Sequence, residues 1–234
     1  MIQLNVANET SRLKAVVLGT AQSNGPTPNT AACYDPSSLM HVKADTYPLE
    51  PQMLKEMSAL EAVLKRYNVT VLRPHIIPDC NQIFARDVAF VIEDKIIKSN
   101  ILPDRENEFS GMSHILEQID STKIIELPKE CHIEGGDVIL FNDYLFAGVY
   151  TGPDYSDFIT ARTNQKAIDA LKSLFPQKIL KTFELKKSNT QPQENALHLD
   201  CCFQPIGQGK ALIHKAGFLN PLDCKFLELS LIHI

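Results

Sequence analysis

Three stretches of this chain open alike, with an aspartate at the head of a run patterned like a β-hairpin. They are RDVAFVIEDKIIKSNIL (86–102), GDVILFNDYLFAGV (136–149) and LDCCFQPIGQGKALIH (199–214). Each carries turn residues at its middle: Glu93 and Asp94, then Asn142 and Asp143, then the stretch from Gly207 to Gly209. A helical stretch to about Ile119 and the strand TKIIEL follow the first hairpin; a helix from about Asp157 to Phe175 and a strand near KILKTFEL follow the second. After the third, a helix is expected near Pro221. The leading aspartates, Asp87, Asp137 and Asp200, are spaced by 50 and 63 residues. One such unit cannot bury its apolar face alone, so the repeat predicts copies arrayed radially rather than one open, doubly wound sheet. Equivalent positions of rotationally related units surround the axis, and the three carboxylates are therefore expected to converge.

Ahead of the repeats, LKAVVLG (13–19) reads as a strand and residues 20–48 as a long loop, rich in Gly, Pro, Asn and Ser, of the kind that forms lids. Met53, Met57, Leu60, Leu64 and Tyr67 recur at helical spacing between Glu50 and Tyr67, and NVTVLRP then makes a strand closed by Pro74 and Pro78. With 234 residues, 44% of them hydrophobic, the chain is long enough for one sizeable core, and a single domain over residues 1–234 is expected. The net charge is -5 and no basic block exceeds Lys186–Lys187, which argues against a nucleic-acid partner. The opening residues lack the basic and apolar regions of a leader, and no run approaches the ~20 apolar residues of a membrane span, so a cytoplasmic protein without a membrane partner is expected. The six cysteines show neither CxxC spacing nor the density of a secreted scaffold and are read as reduced thiols.

Converging carboxylates repel one another and lose hydration, so they need a cation, either a metal or an organic one. On a regular strand His198 and Asp200 share a face, with Leu197, Leu199 and Cys201 on the other. Glu134 and Asp137, three apart, would face oppositely, but Gly135 and Gly136 permit the close approach that could bring both to one place. A metal would take His198, Asp200, Glu134 and Asp87, though their spacing is that of no familiar metal motif. A chance HxD pair is the bland alternative.

The ordered series NQIFARD (81–87), IEGGD (133–137), ARTN (161–164) and HLD (198–200) resembles the guanidino-group modifying enzymes: arginine deiminases, dimethylarginine dimethylaminohydrolases and amidinotransferases. The resemblance implies a pentein-type α/β propeller of ββαβ modules, a small guanidino substrate, and neither metal nor other cofactor. By motif, Asp87 and Asp200 would hold the guanidinium. Glu134 would contact it and orient His198, the general acid and base. Asn81, Asp137 and Arg162 match positions that grip the α-amino and α-carboxylate groups, and Arg105 is a weaker match for a second carboxylate anchor. Arg86 reads equally as a structural ion pair. A homo-oligomer remains open.

The same resemblance demands a nucleophilic cysteine far beyond HLD, while the chain ends 36 residues after His198. Cys201 is expected to point away from His198, Cys202 to share its face inside the hairpin, and Cys224 to precede the required position by a module. The expectation is therefore a C-terminally truncated, inactive chain whose last residues, LSLIHI, are foreign.

Overall fold

A computed structural model describes the backbone of residues 1–231 and side chains up to residue 228. The LSLIHI tail, from residue 229, thus lies outside the described side chains, and residues 232–234 lie outside the described backbone.

The described residues form a mixed α/β fold with four small sheets. Strand β1 (Ala15–Val17) pairs in parallel with β2 (Thr70–Leu72). Two helices lie between them, α1 (Pro36–Lys43) and α2 (Glu50–Arg66). The short helix α3 (Ala85–Val88) then leads into β3 (Ala89–Ile92), which pairs antiparallel with β4 (Lys95–Lys98); after α4 (Ser113–Leu116) the strand β5 (Ile124–Glu126) returns parallel to β4. The pattern repeats: β6 (Val138–Phe141) is antiparallel to β7 (Tyr144–Val149), and after α5 (Gln165–Leu174) the strand β8 (Ile179–Glu184) runs parallel to β7. The third hairpin, β9 (Phe203–Gly207) with β10 (Lys210–Ile213), is followed by α6 (Pro221–Leu231). The repeat is thus seen twice in full, and the described residues form no closed propeller.

Three local expectations change. Within the predicted loop 20–48, α1 forms because Asp35 accepts a hydrogen bond from the Ser38 amide and Pro36 starts the first turn, signals that operate without apolar periodicity. The predicted helix before Ile119 is mostly a 3-10 stretch, Pro103–Met112, ending in one α-turn. The helix predicted from Asp157 begins only at Gln165, where Asn164 caps the Ala167 amide; the residues before it remain irregular.

The core divides into clusters that each join neighbouring hairpins. Phe90, Ile92, Ile97, Leu140, Leu145 and Leu171 pack in one cluster; Ile139, Phe146, Phe183, Phe203, Phe218 and Leu227 pack in another. Phe146 meets Phe183 edge-on at 5.5 Å and Phe203 at 5.9 Å, contacts worth about 0.5–1.5 kcal/mol each beyond burial. The first and second hairpins share one cluster and the second and third share the other, so each hairpin is packed against the next.

Candidate active site

None of the three repeat aspartates lies in a strand. Each sits in a single helical turn just ahead of its hairpin: Asp87 in α3, Asp137 in the 3-10 turn Gly135–Asp137, and Asp200 in the 3-10 turn Leu199–Cys201. The alternation argument therefore fails at HLD, where His198 is the extended residue preceding a turn.

At the centre is Glu134, with 0% exposure. Arg162 Nη1 donates to both of its oxygens at 2.9 and 3.0 Å, Arg105 Nη1 donates to Oε2 at 3.0 Å, and the Leu102 amide donates to Oε1 at 3.2 Å. His198 Nε2 lies 2.8 Å from Oε2, while Nδ1 lies 3.8 Å from Asp87 Oδ1. Burial alone would push the Glu134 carboxyl up, but His198, Arg162 and Arg105 outweigh it and hold Glu134 well below the usual carboxylate range. Burial likewise opposes charge on His198, yet Asp87, Glu134 and Asp137 raise it to about 9. At neutral pH the pair is carboxylate and imidazolium.

The glycines of EGGD are explained by crowding. A Cβ on Gly135 would stand 2.0 Å from the Arg86 carbonyl oxygen, and one on Gly136 would stand 2.7 Å from His198 Nδ1 and 3.0 Å from Asp87 Oδ1. Absent side chains here let the EGGD turn approach α3 and the imidazole closely. Arg86 makes the structural pair allowed for above, with Glu9 at 3.0 Å, and its Nε donates to the Gly135 carbonyl at 3.1 Å.

The remaining site candidates divide by their bonding. Arg105 meets Asp87 Oδ2 at 3.1 Å through Nη1 and is clamped by Glu108, at 2.7 Å from Nε and 3.0 Å from Nη2. Burial works against its charge, but Glu108, Glu134 and Asp87 more than compensate and raise its pKa. Arg162 spends Nε on the Ile159 carbonyl and Nη2 on that of Tyr34, both at 2.9 Å. Asp137 accepts from the Thr163 hydroxyl at 2.7 Å and the Leu199 amide at 3.0 Å, tying the second unit to the third. Asp200 stands at the rim, its pKa raised by burial against the pull of His198. Asn81 makes no hydrogen bond to the cluster; its Oδ1 accepts from the Ile83 amide at 3.1 Å.

Sequence reading missed Glu108, Thr163 and Lys187. Glu108 follows Arg105 by three residues in a 3-10 stretch, a pairing that three residues per turn favours and that only a correct assignment of that stretch would have raised. Thr163 lies inside the quoted ARTN, beside the arginine that drew attention. Lys187 Nζ donates to the carbonyls of Ala196 at 2.9 Å and Leu197 at 2.8 Å, steadying the approach to His198.

All six cysteines are free thiols. Cys201 is exposed, and its Sγ lies 3.6 Å from Asp200 Oδ1, not on the face opposite His198 as a strand would place it. Cys202, expected on the His198 face, is buried in the aromatic cluster. Burial pushes Cys201 up to about 11 and Cys202 to about 12, with neighbouring negative charge adding to both. Burial raises Cys33, Cys80, Cys131 and Cys224 as well, so none of the six is poised as a thiolate at neutral pH.

Hairpin units whose leading turns deliver one histidine and several acids to a shared buried centre define the pentein class of guanidino-group modifying proteins. Within that class, the chain belongs to the arginine deiminase family, whose model matches residues 7–221. It is 30% identical over 163 residues to the uncharacterized protein YkgA of Bacillus subtilis (strain 168), which is 67% of this chain but 49% of that protein. The chain thus spans about half the length of that relative. Its fold is similar to that of SxtG, an amidinotransferase from Microseira wollei in the saxitoxin biosynthetic pathway, with TM-score 0.68, 18% identity and coverage of 93% of this chain and 71% of that one. It is also similar to the N-terminal domain of ArgZ, an arginine dihydrolase from the ornithine-ammonia cycle in cyanobacteria, with TM-score 0.70, 16% identity and coverage of 94% and 72%. Among the described residues, no helix is long and apolar enough to cross a membrane.

Proposed function

We propose that this chain is the guanidinium-binding part of a cysteine-dependent enzyme that hydrolyses arginine or a related guanidino compound. His198 and Glu134 are its catalytic pair, Asp87 and Asp200 its guanidinium ligands. The observation that carries the reading is that Asp87 and Glu134 already share a guanidinium nitrogen, Arg105 Nη1, at 3.1 and 3.0 Å, within reach of a protonated imidazole. Planar guanidinium and paired carboxylates suit one another because both present two parallel hydrogen bonds.

In the proposed reaction a thiolate from outside these 234 residues attacks the guanidinium carbon. The C–S bond forms, the C–N bond breaks, and the departing amine takes the His198 proton. Neutral His198 then accepts a proton from water as its oxygen attacks the amidino carbon; the C–S bond breaks and the thiolate returns. An amine in place of water gives an amidinotransferase, the second reading, favoured by the likeness to SxtG. Arg105, Arg162, Asp137 and Asn81 hold the substrate's tail only by exchanging the internal bonds they make here.

The test compares arginine turnover by the 234-residue chain with turnover by the gene product carrying its downstream sequence. The short chain should bind arginine weakly and turn nothing over; the longer product should be active, stopped by thiol alkylation, indifferent to chelators, and slowed by orders of magnitude by Asp87→Ala or Asp200→Ala. Robust turnover by the short chain, abolished by Cys202→Ser or Cys224→Ser, would overturn the external nucleophile. Arginine binding without turnover in either form would leave a non-catalytic guanidino-binding protein.

A further inference from the structure

The turn that corrects the placement of Cys201 also creates a donor set. Cys201 closes the 3-10 turn Leu199–Cys201, and its amide donates to the carbonyl of His198, the extended residue before the turn, at 3.2 Å; this three-residue closure brings the two residues together, with Asp200 between them. One ligand atom from each of His198, Asp200 and Cys201 lies within 4.8 Å of the other two, and the Cys201 Sγ to Asp200 Oδ1 separation is already 3.6 Å. Metal–ligand lengths of about 2.0–2.3 Å in a tetrahedral zinc site place donors about 3.5 Å apart, so closure asks for a shift of roughly 1.3 Å at most. Cys201 is exposed and can supply it by side-chain rotation.

We propose that His198, Asp200 and Cys201 form a binding site for a thiophilic divalent metal ion, Zn²⁺ in the first instance, at the solvent-facing rim of the acid–imidazole centre. The donor chemistry selects the ion: sulfur, nitrogen and one carboxylate oxygen suit Zn²⁺ or Co²⁺, whereas Mg²⁺ and Ca²⁺ require oxygen. The surroundings fit as well. His198 gives Nε2 to Glu134, which fixes the ring and leaves Nδ1 as the nitrogen to coordinate, the carboxylate–histidine–metal arrangement that raises ligand basicity. A fourth position is left for water. On binding, the thiol and imidazole each release a proton to solvent. The other close trio, Asp87, Glu134 and His198, is not a metal site, because Arg105 Nη1 lies on both carboxylates. The sequence reading discounted metal because the spacing of His198, Asp200, Glu134 and Asp87 is that of no familiar metal motif and the cysteines lack CxxC spacing.

A metal held this way takes His198 and Asp200 from the guanidinium site and would act as a reversible inhibitor. That consequence rests on the proposed function; metal binding does not. The test uses reduced, metal-free 234-residue protein and Co²⁺ as a spectroscopic probe. A thiolate-to-cobalt charge-transfer band should appear, saturate at a single ion per chain, and vanish when Zn²⁺ is added. Cys201→Ser should abolish it, and Cys33→Ser and Cys80→Ser should leave it. Asp200→Asn should keep the band but weaken binding by about 10–100-fold, the loss seen even for outer-shell partners. Absence of the band, its survival in Cys201→Ser, or unchanged affinity in Asp200→Asn would overturn the site, whatever arginine binding shows.

Discussion

The charge state of His198 makes the fold itself sensitive to pH. Its pKa rises from an ordinary 6.5 to about 9 on folding, because Asp87, Glu134 and Asp137 outweigh the burial that opposes its charge. A raised folded pKa stabilises the native state fully below the unfolded value, and that stability drains as pH climbs through the folded one. A shift of about 2.5 units at about 1.4 kcal/mol per unit corresponds to about 3 kcal/mol, present below pH ~6.5 and gone above pH ~9. Urea unfolding at intervals across this window should show wild type losing about 1 kcal/mol per pH unit more than His198→Gln. The comparison cancels thiols and other groups that titrate in both proteins. Because the variant removes a buried partner of Glu134, a second measurement guards the argument: the His198 ring resonances, followed by NMR in wild type, should titrate well above 7. Parallel stability curves together with a ring pKa near 6.5 would show that the carboxylates do not converge on the imidazole as described.

Two further outcomes are expected. Gly136→Ala places a methyl 2.7 Å from His198 Nδ1, so the ring must move off Glu134 and Asp87; its NMR-measured pKa should fall well below 9 even if the protein keeps its native circular dichroism. Arg162→Ala withdraws from buried Glu134 the guanidinium that reaches both its oxygens, and should cost about 3 kcal/mol or more in urea unfolding; a loss under ~1 kcal/mol would mean that Arg105 and His198 suffice to hold the charge.

Residue order alone determined a good deal. The turn residues at Glu93–Asp94 and Asn142–Asp143, the alternation between them, and helical spacing in α2 were legible because local backbone preference and the period of apolar residues act within a few positions of one another. The recurrence of an aspartate ahead of each hairpin was legible too, and with it the expectation that Asp87, Asp137 and Asp200 converge; the close trio at the centre is Asp87, Glu134 and His198. What a repeat states is equivalence of position. What it cannot state is whether a residue lies in the strand or in the turn before it, since a one-turn helix and a strand end differ by a few dihedral angles that distant packing selects. That choice was made by tertiary contacts: Gly135 pressed on the Arg86 carbonyl, Asp137 bonded to the Leu199 amide, and Phe203 held in the aromatic cluster. It exchanged the places of Cys201 and Cys202, sending one thiol to the rim of the site and the other into the core. It also decided which charges neutralise which, because the partners of Glu134, at 28, 29 and 64 residues' distance, meet only where several units close on one point and exclude the water that would otherwise screen them.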